Sequence, residues 1–272
     1  MIDFISLIFL GILTIVVTRY LLIEGITYTS DAWKIPQKVR GQILGFATSV
    51  PELVGTVSTA SKGLLGAGLW NIASSNIINL TLFISALVYY KRAKMIAKVK
   101  FIDEIAFSLG AIIIPAVLVL MGSIAESSWT ALGLFLFFLS YLFIDQKLNV
   151  HEEILQEEHQ PKNANNLGLK GIVFVVLGLL GIVIIGNFLG GVADSIVNKL
   201  DVPEWAVGWI LGLITSLPEL TTFFAVFSAG KDSLEDKDCQ ESLDNLAASN
   251  MSNLGLIYPI GITVFVLCGY ST

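Results

Sequence analysis

Long apolar stretches alternate with short polar breaks along the chain. Apolar runs of 18 or more residues read as helices that cross a membrane. Eight fit the pattern, near 4–27, 41–62, 68–90, 102–122, 128–145, 168–190, 206–229 and 243–268. The breaks are short except for 146–167, which is acidic and then Asn-rich and is too short to fold as a domain. It divides the chain into a first half, 1–145, with five spans and a second half, 168–272, with three. The expected fold class is all-α, a polytopic membrane helical bundle.

Composition strengthens this expectation. Of the 272 residues, 54% are hydrophobic and only 14% charged, against about 25% charged in an ordinary soluble domain. Mean hydropathy is +0.77. Too little polar surface remains to coat a globule, so a lipid bilayer is the expected surrounding. The start does not look like a signal peptide: Asp3 precedes the apolar run, and Arg19 and Glu24 follow it. The net charge of −6 is concentrated in two loops and says little about partners; no nucleic acid is expected.

Basic residues in short loops set orientation. Lys34, Lys38 and Arg40 follow the first span, and Lys91, Arg92, Lys94, Lys98 and Lys100 follow the third. That face should be cytoplasmic, with the N-terminus outside and the 146–167 linker and the 230–242 loop inside. The linker holds both histidines. HEEILQEEH resembles a zinc-protease motif only superficially, because Leu155 stands where the second histidine is needed. Cys239, in a polar loop, and Cys268, in a span, form neither a disulfide framework nor a metal spacing.

The chain repeats itself. PQKVRGQILGFATSVPEL at 36–53 aligns without gaps with PEWAVGWILGLITSLPEL at 203–220, ten of eighteen positions being identical. NIASSNIINL at 71–80 then matches NLAASNMSNL at 245–254, with six identities in ten. Five spans separate the copies, and an odd number means that they insert in opposite directions. This inverted layout is common among secondary transporters, whose site lies near the midplane between the repeats.

The shared residues are chemically suggestive. Proline has no N–H, so Pro51 and Pro218 free the carbonyls of Ala47 and Ile214. In lipid such carbonyls are tolerated only under cover of protein or water. Glu52 and Glu219 lie three residues beyond Ser49 and Ser216, on the same helical face. Ser75 with Asn79, and Ser249 with Asn253, form i,i+4 pairs. A charged side chain at bilayer depth costs at least ~2.5–3.5 kcal/mol, so an intramembrane glutamate points to function. All these donors are oxygen, which suits Na⁺ or Ca²⁺ far better than zinc or copper. Two negative charges balance one Ca²⁺, two Na⁺ or two H⁺. Asn76 and Asn250 fit helix–helix hydrogen bonding, and Trp70, Trp129, Trp205 and Trp209 fit interfacial anchors.

These blocks resemble the cation/Ca²⁺ exchanger superfamily, in particular prokaryotic Na⁺/Ca²⁺ exchangers, whose two α-repeats carry G-T-S-x-P-E-L and G-N-x-x-G-S-N-x-x-[ND]. Here the matching stretches are ATSVPEL with WNIASSNIIN and ITSLPEL with DNLAASNMSN. The resemblance implies that Glu52 and Glu219 are the central Ca²⁺ ligands, helped by the backbone carbonyls of Thr48 and Thr215. It implies that Ser49, Ser75, Ser216 and Ser249, with Asn79 and Asn253, line flanking Na⁺ positions. Exchange of Ca²⁺ for Na⁺ by alternating access follows, with the first and sixth spans sliding across the others, in a bacterial or archaeal cell membrane. Alternatives within reach are H⁺ or another cation in place of Na⁺, and a non-transporting subunit derived from an exchanger. No enzyme motif falls in a span, and no cofactor is expected beyond the transported Ca²⁺ and Na⁺.

Departures from the family pattern carry expectations too. Ala47 and Ile214 replace its glycine before Thr-Ser; Trp70, Ser74, Asp244 and Ala248 replace the glycines of the second block. Lost glycines should cost close helix approach and leave a wider site. Both last positions, 79 and 253, are Asn, which makes the site less negative. Relatives usually have ten spans, whereas this chain ends 19 residues after Asn253; the expectation is that a partner subunit or a second copy covers the missing pair, or the sequence is truncated, or transport is impaired.

Overall fold

The structure, a computed structural model, describes residues 2–92, 102–149, 164–229 and 236–270. Most of the 146–167 linker with both histidines, Lys94, Lys98, Lys100, and residues 230–235 of the second acidic loop lie outside the described residues. The first rod joins α1 (Ile2–Val17), a π-helical turn (Thr18–Ile23) and α2 (Glu24–Trp33). A second rod, α3 (Gln37–Thr48) and α4 (Val50–Ala60), is broken at Ser49. Four helices follow: α5 (Leu65–Tyr89), α6 (Ile102–Leu120), α7 (Ser128–Asn149) and α8 (Ala164–Leu200). α9 (Glu204–Thr215) and α10 (Leu217–Ala229) form another broken rod. α11 (Asp236–Ser252), a π turn (Asn253–Ile257) and α12 (Tyr258–Leu267) form the last. Among the described residues six stretches are long and apolar enough to cross a membrane. α6 and the broken α3–α4 rod occupy the two further spans read from the sequence.

Several helices outrun their apolar cores. The first rod continues to Trp33 rather than residue 27, and α8 reaches Leu200 rather than residue 190. α11 begins at Asp236, so 236–242 is helix and not loop. Hydropathy reads polar residues as water-facing, but Gln240, Glu241 and Ser242 of α11 face protein. Gln240 is buried and donates to Glu104 Oε1 at 2.9 Å and to Asp244 Oδ1 at 3.0 Å. Cys239, expected in a loop, is fully buried on this helix beside Phe83 and Phe223. Cys268 caps α12 at an exposed position.

The sequence repeat is also a repeat of backbone geometry. Lys34 and Asp201 both end a helix in the left-handed region, at φ 54° and φ 53°. Pro36 and Pro203 then start α3 and α9 with ψ of 147° and 143°. Ser49 and Ser216 break the two rods at φ −82°, ψ −3° and φ −83°, ψ −3°.

Packing exchanges the repeats. α5 of the first half lies against α9 of the second, and α11 of the second against α3 of the first. Glycines on α3 and α9 make these crossings close. A Cβ at Gly45 would stand 2.5 Å from the backbone oxygen of Asn245 and 2.7 Å from Ala248 Cβ. A Cβ at Gly212 would run into Ser74 Oγ and stand 2.8 Å from the backbone oxygen of Asn71. The looser approach expected from the second block's lost glycines therefore does not occur. Gly41 with Gly45 and Gly208 with Gly212 form G-x-x-x-G pairs on the opposite helices, and these supply the clearance. Ser74 also donates to the carbonyls of Asn71 at 3.1 Å and Gly208 at 3.3 Å.

The rod α1–α2 pairs with α8 outside this centre. Both turn Ile, Leu, Val and Phe side chains outward: Ile8, Phe9 and Ile12 on one, Leu180, Ile184 and Phe188 on the other. Polar side chains, including Glu52 and Glu219, are buried at the centre. Apolar outside and polar inside is the arrangement lipid imposes. The chain is an integral membrane protein. Trp129 and Trp205 are exposed near the starts of α7 and α9, as interfacial anchors require, whereas Trp70 packs its Cβ against Gly208.

Candidate functional site

Each motif places its glutamate by the same local device. α3 stops at Thr48 and α9 at Thr215; α4 and α10 then start afresh with Pro51 and Pro218 in their opening turns. A proline fits there because the first N–H groups of a helix have no intrahelical acceptor to lose. Glu52 and Glu219 occupy the first turn of these new helices, where the positive end of the helix dipole favours a carboxylate. Proline makes the helix start, and the start is what receives the charge.

Both glutamates are 0% exposed and lie within electrostatic reach of each other. Thr215, Ser75 and Ser216 stand around Glu52, and Thr48 and Ser249 around Glu219. Ser249 Oγ donates to Glu219 Oε1 at 3.2 Å and shares a 2.9 Å hydrogen bond with Ser49 Oγ. Ser75 Oγ and Thr215 Oγ1 lie 3.4 Å apart. Asn79 donates to Ser249 Oγ at 3.2 Å, and Asn253 donates to Asn76 Oδ1 at 2.9 Å. Thr48, Ser49, Glu52, Ser75, Asn79, Thr215, Ser216, Glu219, Ser249 and Asn253 are thus all fully or almost fully buried at the meeting of the two halves. Asn76 and Asn250 bond between helices, as their positions suggested.

Several oxygens in this cluster make no hydrogen bond of good geometry, although hydroxyls of Thr215, Ser75 and Ser216 stand near those of Glu52. The oxygens without such a bond are both carboxylate oxygens of Glu52, Oε2 of Glu219, Oδ1 of Asn79, Oδ1 of Asn253 and the hydroxyl of Ser216. Leaving one buried polar group unpaired costs about 1–3 kcal/mol, and more when it is charged. Six in one place is a concentration that a folded protein resolves with a ligand of opposite character.

Sequence reasoning passed over Asn71. It is 0% exposed, accepts from Thr215 Oγ1 at 3.2 Å, and donates to the backbone oxygen of Glu52 and to Thr56 Oγ1, both at 3.4 Å. Its repeat counterpart Asn245 is equally buried but has no partner at either end of its amide. The signal was present, since Asn71 and Asn245 are the first identity of the second block.

Carboxylates also gather near one end of the bundle. Asp103, Glu104 and Asp145 bring their oxygens within 4.8 Å of one another. Gln42 donates to Asp145 and Gln240 to Glu104, while Arg40 bridges Asp31 at 3.0 Å and Glu241 at 3.5 Å. These bonds tie α2, α3, α6, α7 and α11 together and hold Gln240 and Glu241 of α11 in buried positions.

Two inverted halves contributing equally to a buried, oxygen-lined centre define an inverted-repeat membrane transport protein. The chain belongs to the sodium/calcium exchanger protein family, whose sequence profile matches residues 4–145 and 170–268. That is a family of transporters and not of enzymes. Solved structures of the sodium-calcium exchanger NCX_Mj share its fold. One, soaked with Na⁺ and Sr²⁺, is 21% identical with a TM-score of 0.58, over 96% of this chain and 82% of that one. Another, at lower Sr²⁺, is 19% identical with a TM-score of 0.56, over 98% and 88%. A third, soaked with Na⁺ without Ca²⁺, gives 20% and 0.56, over 97% and 83%. No curated protein sequence matches this chain significantly.

Proposed function

We propose that the chain is a secondary active antiporter that exchanges Ca²⁺ for Na⁺ by alternating access at the centre between its repeats. One observation carries this reading: six buried oxygens, three of them from two carboxylates, make no hydrogen bond of good geometry. A hard cation satisfies such a set, because it takes six to eight oxygen ligands and needs no donor geometry. Glu52 and Glu219 are the central Ca²⁺ ligands, with the backbone carbonyls of Thr48 and Thr215. Ser49, Ser75, Asn79, Ser216, Ser249 and Asn253 complete the Na⁺ positions. Two carboxylates balance one Ca²⁺ or two Na⁺, so the two ions compete for the same oxygens. Competition at shared ligands is what turns two binding events into exchange.

The first and eighth helices suit the moving part. They pair with each other at the bundle's flank and meet the core through small residues. A Cβ at Gly186 or Gly190 of α8 would collide with Val54 or Ser58 of α4. The basic residues after the first and third spans support a cytoplasmic placement of those loops, with the N-terminus outside.

Equilibrium competition tests the reading. Ca²⁺ should raise the melting temperature of the detergent-solubilised chain, and added Na⁺, but not choline, should erase that gain at fixed Ca²⁺. If pH rather than Na⁺ displaces Ca²⁺, the coupling ion is H⁺. If no cation stabilises the chain, the exchanger-derived, non-transporting reading replaces this one.

A further inference from the structure

Four amides interlock where α5 crosses α11. Asn76 Nδ2 donates to the backbone carbonyls of Ala111 at 2.9 Å and Asn250 at 3.2 Å. Asn250 Nδ2 donates to the backbone carbonyl of Asn76 at 3.3 Å. A backbone carbonyl only accepts, so these bonds decide which arm of each amide is nitrogen. The oxygen arms receive the second pair. Asn253 Nδ2 donates to Asn76 Oδ1 at 2.9 Å, and Asn79 Nδ2 donates to Asn250 Oδ1 at 3.3 Å. All four side chains are 0% exposed, and the four bonds among these residues, though not that to Ala111, exchange with one another when the repeats are exchanged.

The consequence falls on Asn79 and Asn253. Their nitrogen arms are tied to the crossing, and their oxygen arms have no donor. Asn79 also donates to Ser249 Oγ, whose own proton goes to Glu219, so this hydroxyl favours the same orientation of Asn79. The carbonyl-anchored amides of Asn76 and Asn250 select the orientation at both positions, and at Asn253 no other hydrogen bond does so among those of the described residues. We infer that Asn76 and Asn250 are positioning residues, each holding the amide of the opposite repeat so that Asn253 and Asn79 present oxygen to the transported cation. A reversed amide would present N–H donors to a cation and repel it. This inference rests on the cation-exchange reading of the same centre.

The device is crossed. Asn76 on α5 serves Asn253 at the start of the π turn after α11, and not Asn79 on its own helix; Asn250 serves Asn79. Double-mutant cycles on the full chain read this directly, with apparent Ca²⁺ affinity taken from thermal stabilisation in detergent. Asn76→Ala should weaken Ca²⁺ about 10-fold in the natural chain and in Asn79→Ala, but less than about 2-fold in Asn253→Ala. Asn250→Ala should show the mirror pattern, with its effect lost in Asn79→Ala. A residue that only supported the fold would show no such crossed selectivity. Where an alanine variant does not fold, the milder Asn76→Ser and Asn250→Ser enter the same cycles. Additive effects throughout, or coupling as strong between 76 and 79 as between 76 and 253, overturn the inference while leaving cation binding intact. Absence of stabilisation by Ca²⁺, Sr²⁺, Na⁺ or K⁺ in the natural chain overturns both.

Discussion

Glu52 and Glu219 sit fully buried in the first turns of α4 and α10, and three of their four carboxylate oxygens make no hydrogen bond of good geometry. Two facing carboxylates without a cation repel each other across a water-poor centre. Glu52→Gln or Glu219→Gln should therefore raise the melting temperature in chelated, Na⁺-free buffer. The same substitutions should move Ca²⁺ stabilisation to roughly 10- to 100-fold higher concentration, since ligand charge sets affinity. A variant that lost stability without ions and kept its Ca²⁺ response would place the carboxylates in the scaffold instead. The glutamates, serines and threonines were legible in the sequence because a charged or hydroxylic residue duplicated within an apolar run has few bland explanations. Asn71 was legible only as a repeated identity, without its contacts. Asn71 on α5 meets Thr215 of α9 and Glu52 of α4, and no spacing along one helix reveals such a meeting of three.

At the scale of elements, the close crossings of α5 on α9 and of α11 on α3 depend on glycines of the first block. At Gly45 a Cβ would meet backbone or near-backbone atoms, the oxygen of Asn245 at 2.5 Å and the nitrogen of Ser249 at 2.9 Å. Such atoms cannot step aside as a side chain can. Gly45→Ala should destabilise the chain by about 1–3 kcal/mol, and Gly212→Ala by a similar amount, read as a lower melting temperature in saturating Ca²⁺. An unchanged melting temperature would mean that the crossings are looser than the structure has them. The sequence showed the repeat but not how its halves interlock. Comparison with the family motif marked Trp70, Ser74, Asp244 and Ala248 as losses of clearance, whereas the clearance lies on the facing helix. Lys34 and Asp201 were equally hidden, because nothing in either residue type announces a left-handed helix end. The start of α11 was misread for a related reason: hydropathy cannot distinguish a glutamine facing water from Gln240 facing Glu104.

Across the whole molecule, the polar centre is assembled from both repeats, with an apolar coat of α1–α2 and α8 outside it. In inverted-repeat transporters such symmetry lets one set of ligands face either side of a membrane in turn, which is the basis of the exchange proposed for this chain. Binding of the ion exchanged for Na⁺ by Glu52 and Glu219 is tested by Na⁺-gradient-driven uptake of radiolabelled Ca²⁺ into proteoliposomes. The natural chain should take up Ca²⁺ until the Na⁺ gradient is dissipated, and Glu52→Gln and Glu219→Gln should take up none. Absence of uptake by the natural chain, or its persistence in either glutamine variant, would contradict it.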